Sequence, residues 1–269
     1  MTPDIALNDG TRMPQLGLGV WQTAPHETAD VVRQAIELGY RAVDTAAMYG
    51  NEEGVGEATR HRPDIFVTTK LWQTDHGFDA ALRAFEASAR RLNRPIDLFL
   101  IHWPAPRKDL YVETWKALIR LKEEGRVRAV GVSNFQPEHL RRIVGETGVA
   151  PAVNQVELHP MFQQRGLRAF HEEHGIATES WSPLGKGRLM EEPVIARIAQ
   201  KHGVTPAQAI IRWHLDNGLV VIPKSVNPRR LQENISVFGF SLDADDLQAI
   251  AGLDRTDGRM GPNPDTADF

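Results

Sequence analysis

The chain contains no cysteine among its 269 residues. Disulfides, thiolate nucleophiles and cysteine-bound zinc are excluded together, which fits a cytoplasmic protein without requiring one. Long apolar runs are missing too, and nothing approaches the roughly 18 residues of a membrane-spanning helix. Residues 1 to 15, MTPDIALNDGTRMPQ, lack the basic start and apolar centre of a secretory signal. Neither sign of charge dominates: the net charge is -4, so there is no general attraction toward nucleic acid or an anionic membrane. Any anion site must be local. A G-x-G-x-x-G fingerprint is absent as well, because Leu16-Gly17-Leu18-Gly19-Val20-Trp21 lacks the third glycine and comes too early.

What is present is an ordinary globular composition, 41% hydrophobic and 25% charged. Ile5-Ala6-Leu7 and Met13 to Leu16 flank Asn8-Asp9-Gly10, which predicts a small β-hairpin cap. Strand and helix patterns then alternate. Strands are expected at 16–20, 40–43, 65–69, 96–101, 127–132, 152–156, 176–180 and 219–222. Helices are expected at 28–38, 51–60, 80–92, 112–123, 137–144, 167–174, 194–202, 206–215, 229–235 and 244–250, with Asn51 as a capping residue. Eight βα units of this kind predict an α/β fold, a single (β/α)8 TIM barrel spanning residues 1–269. A doubly wound open sheet is the rival, disfavoured by the missing fingerprint. The tail, residues 255–269, is rich in Gly, Pro and Asp and reads as loose coil over the surface.

Several of these strands run out into polar or ionisable residues. Asp44 and Tyr49 follow the second, Lys70 the third and His102 the fourth. A parallel barrel gathers all carboxyl strand ends on one face, so these side chains would converge. A tyrosine acts as a general acid near neutral pH only if its pKa falls from about 10, and a nearby ammonium does this. Trp21, Ala46, Trp72 and Trp103 also lie just past strand ends and are expected to wall a pocket, whereas Trp115 and Trp213 have helical spacing and read as core.

Asp44-Thr45-Ala46 through Tyr49, Lys70 after Val67-Thr68-Thr69, Ile101-His102-Trp103-Pro104, Gly131-Val132-Ser133-Asn134, Asn154-Gln155 and Ile222-Pro223-Lys224-Ser225 resemble the aldo-keto reductases in order and spacing. The likeness runs from Ile5 to about Asp254 and looks closest to the bacterial 2,5-diketo-D-gluconate reductases. It implies NADPH-dependent reduction of an aldehyde or ketone. Tyr49 would donate a proton to the carbonyl oxygen, Lys70 would lower its pKa, Asp44 would pair with Lys70, and His102 would orient the carbonyl. The resemblance also assigns a nicotinamide carboxamide to Ser133, Asn134 and Gln155, with Trp181 stacked on the ring where many relatives have tyrosine. Ser182, Leu184 and Gly185 would cover the pyrophosphate. Lys224, Ser225 and Arg230 would hold the 2′-phosphate, with Val226 in the same cofactor-binding group and Glu233 and Asn234 near the adenine.

His171-Glu172-Glu173-His174 has the wrong spacing for a zinc helix and reads as an exposed helix face, so no metal is expected. The other expectations are a monomer, a small carbonyl compound as partner, and an open, permissive site. Two rivals remain at this point: a nicotinamide-binding sensor without turnover, and a barrel isomerase or lyase using Lys70 as a Schiff base.

Overall fold

The computed structural model describes residues 2–267; residue 1 and the last two residues of the tail lie outside it. The hairpin is present: β1 (Asp4–Ala6) pairs antiparallel with β2 (Arg12–Pro14), with Ile5 opposite Met13. Eight parallel strands follow, β3 (Leu18–Gly19), β4 (Ala42–Asp44), β5 (Phe66–Leu71), β6 (Ile96–Ile101), β7 (Val127–Ser133), β8 (Val153–Glu157), β9 (Ala177–Trp181) and β10 (Val220–Val221). Each pairs with its sequence neighbours, so the sheet runs in chain order. Parallel bridges Leu16–Val221 and Gly19–Lys224 bring its two edges together and complete the α/β barrel. Gly19 permits this approach, since a Cβ there would stand 2.9 Å from the Ile222 carbonyl oxygen.

Around the sheet lie α1 (Pro25–Leu38), α2 (Glu52–Thr59), α3 (Phe78–Leu92), α4 (Tyr111–Glu123), α5 (Pro137–Thr147), α6 (Arg165–Glu173), α7 (Pro193–His202), α8 (Pro206–Asp216), α9 (Pro228–Ile235) and α10 (Ala244–Ala251). Their starts follow local chemistry more than apolar spacing. α1 begins three residues before the expected Thr28, because Pro25 takes the first helical position and the Glu27 carboxylate accepts from the Ala24 N–H at 3.1 Å. Its end at Gly39, φ +110°, is where the sequence places it.

Strand alternation sorts the chain into two cores. Val43, Val67, Phe99, Ile101, Val130 and Val221 point outward to the helices. Ala42, Phe66, Leu98, Leu100, Ala129, Val153 and Val220 fill the lumen, and the hairpin residues Leu7 and Met13 close it below. One step further along each inward row the residue type changes. Asp44, Lys70, His102, Ser133, Gln155 and Trp181 each stand two positions beyond an inward-facing strand residue, so the period of two that packs the lumen also aims them into the barrel mouth.

Three local expectations are corrected. Asn51 precedes α2, yet its side chain does not cap it; it accepts from the Thr45 hydroxyl at 2.7 Å and donates to the Val20 carbonyl at 2.9 Å, tying two barrel-mouth loops together. His171 is fully buried, bonded to Asn154 at 2.9 Å and Thr178 at 2.8 Å, because α6 turns it toward β8 and β9. The tail, as far as it is described, is anchored. The Met260 and Gly261 N–H groups donate to the two Glu157 carboxylate oxygens at 2.6 and 2.8 Å, and Gly258 packs against Met161 closely enough to exclude any Cβ.

Candidate active site at the barrel mouth

A cavity of about 320 Å³ opens at the carboxyl ends of the strands. Trp21, Asp44, Tyr49, Trp72, His102 and Trp103 form one side of it, and Ser133, Asn134, Gln155, Trp181, Ser182 and Lys224 the other. Lys70 lies beneath, fully buried. Its ammonium donates to Asp44 Oδ1 at 2.6 Å and to the Thr45 carbonyl at 2.9 Å, and it sits 5.1 Å from the centre of the Tyr49 ring. The Tyr49 and His102 rings meet edge to face at 5.7 Å, and Trp72 packs on His102 at 5.1 Å. Phenol, ammonium and imidazole are thus neighbours although His102 lies 53 positions after Tyr49.

Burial governs the charges here. It works against the Lys70 ammonium, but Asp44 and Tyr49 more than compensate and Lys70 is raised overall. Asp44 is raised by burial against the opposing pull of Lys70 and Gln155. Tyr49 is also raised, because burial outweighs the lowering by Lys70. The expected lowering is therefore present but is the smaller effect. Tyr49 stays a protonated phenol at neutral pH, the form that can donate, and an alkoxide is basic enough to take its proton without the fall in pKa expected from the sequence. His102 is lowered well below the ordinary imidazole value by burial and then by Lys70, so it is neutral. Its Nδ1 is buried without a partner among the described residues, which leaves Nε2 to serve the cavity.

On the opposite wall the groups are held by one another. The Ser133 hydroxyl donates to the Gln155 carbonyl at 2.7 Å, and Asn134, at φ +65°, donates through Nδ2 to the His102 carbonyl at 2.9 Å. Trp181 Nε1 donates to Asn134 Oδ1 at 2.9 Å, which fixes the plane of the indole. Ala46 is fully buried behind the wall, and Leu184 and Gly185 turn toward the core. Pro183 and Lys186 line the cavity in their place. Ser225, Val226, Arg230, Glu233 and Asn234 lie outside it, beyond Lys224. Arg230 is exposed in the first turn of α9, its N–H capped by Asn227 at 3.1 Å, while Glu233 pairs with Arg229 at 2.8 Å and Asn234 is buried.

Sequence reasoning did not single out Glu179. It faces inward on β9, two residues before Trp181, and that period of two was the available signal. Burial, with the Asp44 carboxylate added, raises it from 4.5 to about 8. The folded protein therefore keeps a proton that the unfolded chain releases near the ordinary carboxylate value. This contribution to stability is complete at acid pH and is lost as pH rises through about 8. Glu179→Gln cannot titrate, so between about pH 5 and pH 9 its urea midpoint will fall less than that of the wild type. Equal slopes would show that Glu179 is not held neutral. Gly261 and Pro262 were also missed, and the anchored tail brings both to the cavity rim.

The model of the aldo/keto reductase family matches residues 13–255, nearly the whole chain. The chain belongs to the aldo-keto reductase family. This reductase is 54% identical to an aldo-keto reductase of Mycobacterium sp. (strain KMS), over 99% of its own length and 98% of the relative's. It is 52% identical to the methylglyoxal reductase DkgA of Escherichia coli (strain K12), over 97% and 96%. Among solved structures, a mutant of Gox0644 in complex with NADPH matches with a TM-score of 0.99 at 62% identity, over the full length of both chains. An aldo-keto reductase structure from a deep-sea metagenome library matches at 39% identity with a TM-score of 0.95, over 98% and 100%. The chain is thus an NADPH-dependent oxidoreductase of the aldo-keto reductase type.

Proposed function

We propose that this reductase uses NADPH to reduce small aldehydes and ketones to alcohols, with dicarbonyls such as methylglyoxal and 2,5-diketo-D-gluconate as the substrate class. NADPH supplies the hydride. Hydride arriving at a carbonyl carbon places negative charge on the oxygen, and donors already aimed at that oxygen stabilise the transition state more than the substrate. Tyr49 gives the proton to this oxygen, and His102 donates to the same oxygen and orients the carbonyl. Lys70 stabilises the phenolate left on Tyr49, and Asp44 holds Lys70 in place. The observation that carries the reading is the buried Lys70–Asp44 pair directly under Tyr49, with His102 on the same cavity.

The wall opposite fits a nicotinamide. Trp181 offers a fixed flat face, and Gln155, Ser133 and Asn134 border it with amide and hydroxyl groups. Lys224 and the exposed Arg230 hold the 2′-phosphate, with Ser225 and Val226 between them and Glu233 and Asn234 toward the adenine. Ser182, Pro183 and Lys186 border the pyrophosphate, backed by Leu184 and Gly185. The DkgA relatives and the NADPH-bound neighbour support both substrate class and cofactor. The same reading takes a monomer as the working unit.

The test is loss of reduced-nicotinamide absorbance with methylglyoxal, 2,5-diketo-D-gluconate, a diketone and an aromatic aldehyde, using NADPH and then NADH. Turnover of at least one dicarbonyl, faster with NADPH at equal concentration, is expected. Silence across the panel, together with tight NADPH binding by tryptophan fluorescence, would overturn the reductase reading in favour of a sensor.

A further inference from the structure

Glu179 has no part in the reaction as proposed, yet it is fully buried in the lumen beside the residues that do. It stands opposite Gln155 in the β8–β9 pairing. Gln155 Nε2 donates to Glu179 Oε2 at 2.8 Å and to Asp44 Oδ2 at 2.7 Å. A primary amide nitrogen has two hydrogens, so both are taken. Gln155 lines the cavity, and the polar atom its amide retains for a ligand is Oε1, an acceptor. One contact would let the amide swing about its own axis while keeping Asp44. Two contacts fix it, since turning it over would break both and set Oε1 against the Asp44 carboxylate.

We propose that Glu179 is a positioning residue for cofactor recognition: with Asp44 it clamps the Gln155 amide so that Oε1 faces the cavity and accepts from the amino group of a carboxamide. The inference rests on the nicotinamide reading above. Two further observations agree with it. Glu179 Oε1 is buried without a partner among the described residues, which is where the hydroxyl of a neutral acid would sit while the carbonyl oxygen accepts from Gln155. Burial pushes Glu179 up to about 8, so near neutral pH a glutamine reproduces its acceptor without a change of charge.

The experiment compares the Kd of NADPH with that of its reduced 3-acetylpyridine analogue, in which a methyl group replaces the carboxamide amino group and removes the N–H donor. Fluorescence titration gives both values for the wild type, Glu179→Gln and Glu179→Leu. A site with a fixed acceptor discriminates against the analogue, and the wild type should prefer NADPH by about five- to tenfold. Glu179→Gln should keep that ratio. Glu179→Leu should bring it close to one by weakening NADPH while leaving the analogue nearly unchanged. Should the leucine variant not fold, Glu179→Ala removes the carboxyl without branched bulk and is read in the same way.

A deletion variant that keeps the wild-type ratio overturns the clamp. So does equal weakening of both ligands, which marks general distortion, or a glutamine variant that loses discrimination as fully as leucine. A wild-type ratio of one with tight NADPH binding overturns the Gln155 contact and the clamp with it. Absence of NADPH binding overturns the cofactor reading itself, so the two failures are told apart.

Discussion

Tyr49→Phe will lower kcat for carbonyl reduction by about 10²- to 10⁴-fold while leaving the Kd of NADPH close to the wild-type value. The substitution removes one hydroxyl and keeps the ring that packs on Trp21 at 4.7 Å and on His102 at 5.7 Å, so the shape of the cavity is retained. In the proposed mechanism what disappears is the proton. The alkoxide formed by hydride addition then depends on His102 as its remaining donor, and His102 is a neutral imidazole surrounded by burial and by the Lys70 charge. Single-turnover absorbance at saturating NADPH separates this chemical step from product release. A rate within a few-fold of wild type would remove Tyr49 as proton donor. A large rise in the Kd of NADPH would instead mean that the phenol shapes the cofactor pocket.

Lys70→Met should be nearly as costly to activity and far more costly to stability. Methionine matches the length of the lysine stem but leaves the Asp44 carboxylate, 3% exposed, without its counter-charge. Breaking a buried pair in this way typically costs about 3–5 kcal/mol. The pH dependence carries a definite sign. Burial already raises Asp44 with Lys70 present, and without the ammonium it will rise further. The folded variant thus prefers the protonated acid. Its deficit against wild type will be smallest at acid pH and will grow as pH rises through the folded Asp44 value. Urea unfolding at about pH 5 and pH 8 reads this directly. Adding Asp44→Asn to Lys70→Met should recover part of the stability and none of the activity, because the buried charge is gone while the phenolate still lacks its cation. Equal deficits at both pH values would argue against a buried unpaired carboxylate.

These two side chains also show how far the sequence could be read. Lys70 and Asp44 were legible because each closes an inward row of a short apolar strand, and the period of two is a local property that needs no knowledge of the rest of the chain. The direction of the Tyr49 shift was not. It depends on how deeply the phenol is buried against how close Lys70 approaches, and only the packed barrel sets that balance. Asn51 shows the same limit. In sequence it is a capping residue before a helix, and in the fold its amide is taken by the Val20 carbonyl, 31 residues away.

The (β/α)8 barrel, the hairpin beneath it and the order in which reactive residues reach its mouth were determined by the sequence alone. Alternating apolar patterns specify strands and helices locally, and a right-handed βα repeat has few ways to close. The tertiary structure decided what depends on contacts between distant segments. It drew the glycine- and proline-rich tail onto Glu157, more than a hundred residues upstream, where two backbone N–H groups meet a buried carboxylate. It also set Glu179 and Asp44 on either side of the Gln155 amide. No local pattern encodes either arrangement, because a buried polar group is stable only where the whole fold brings it a partner.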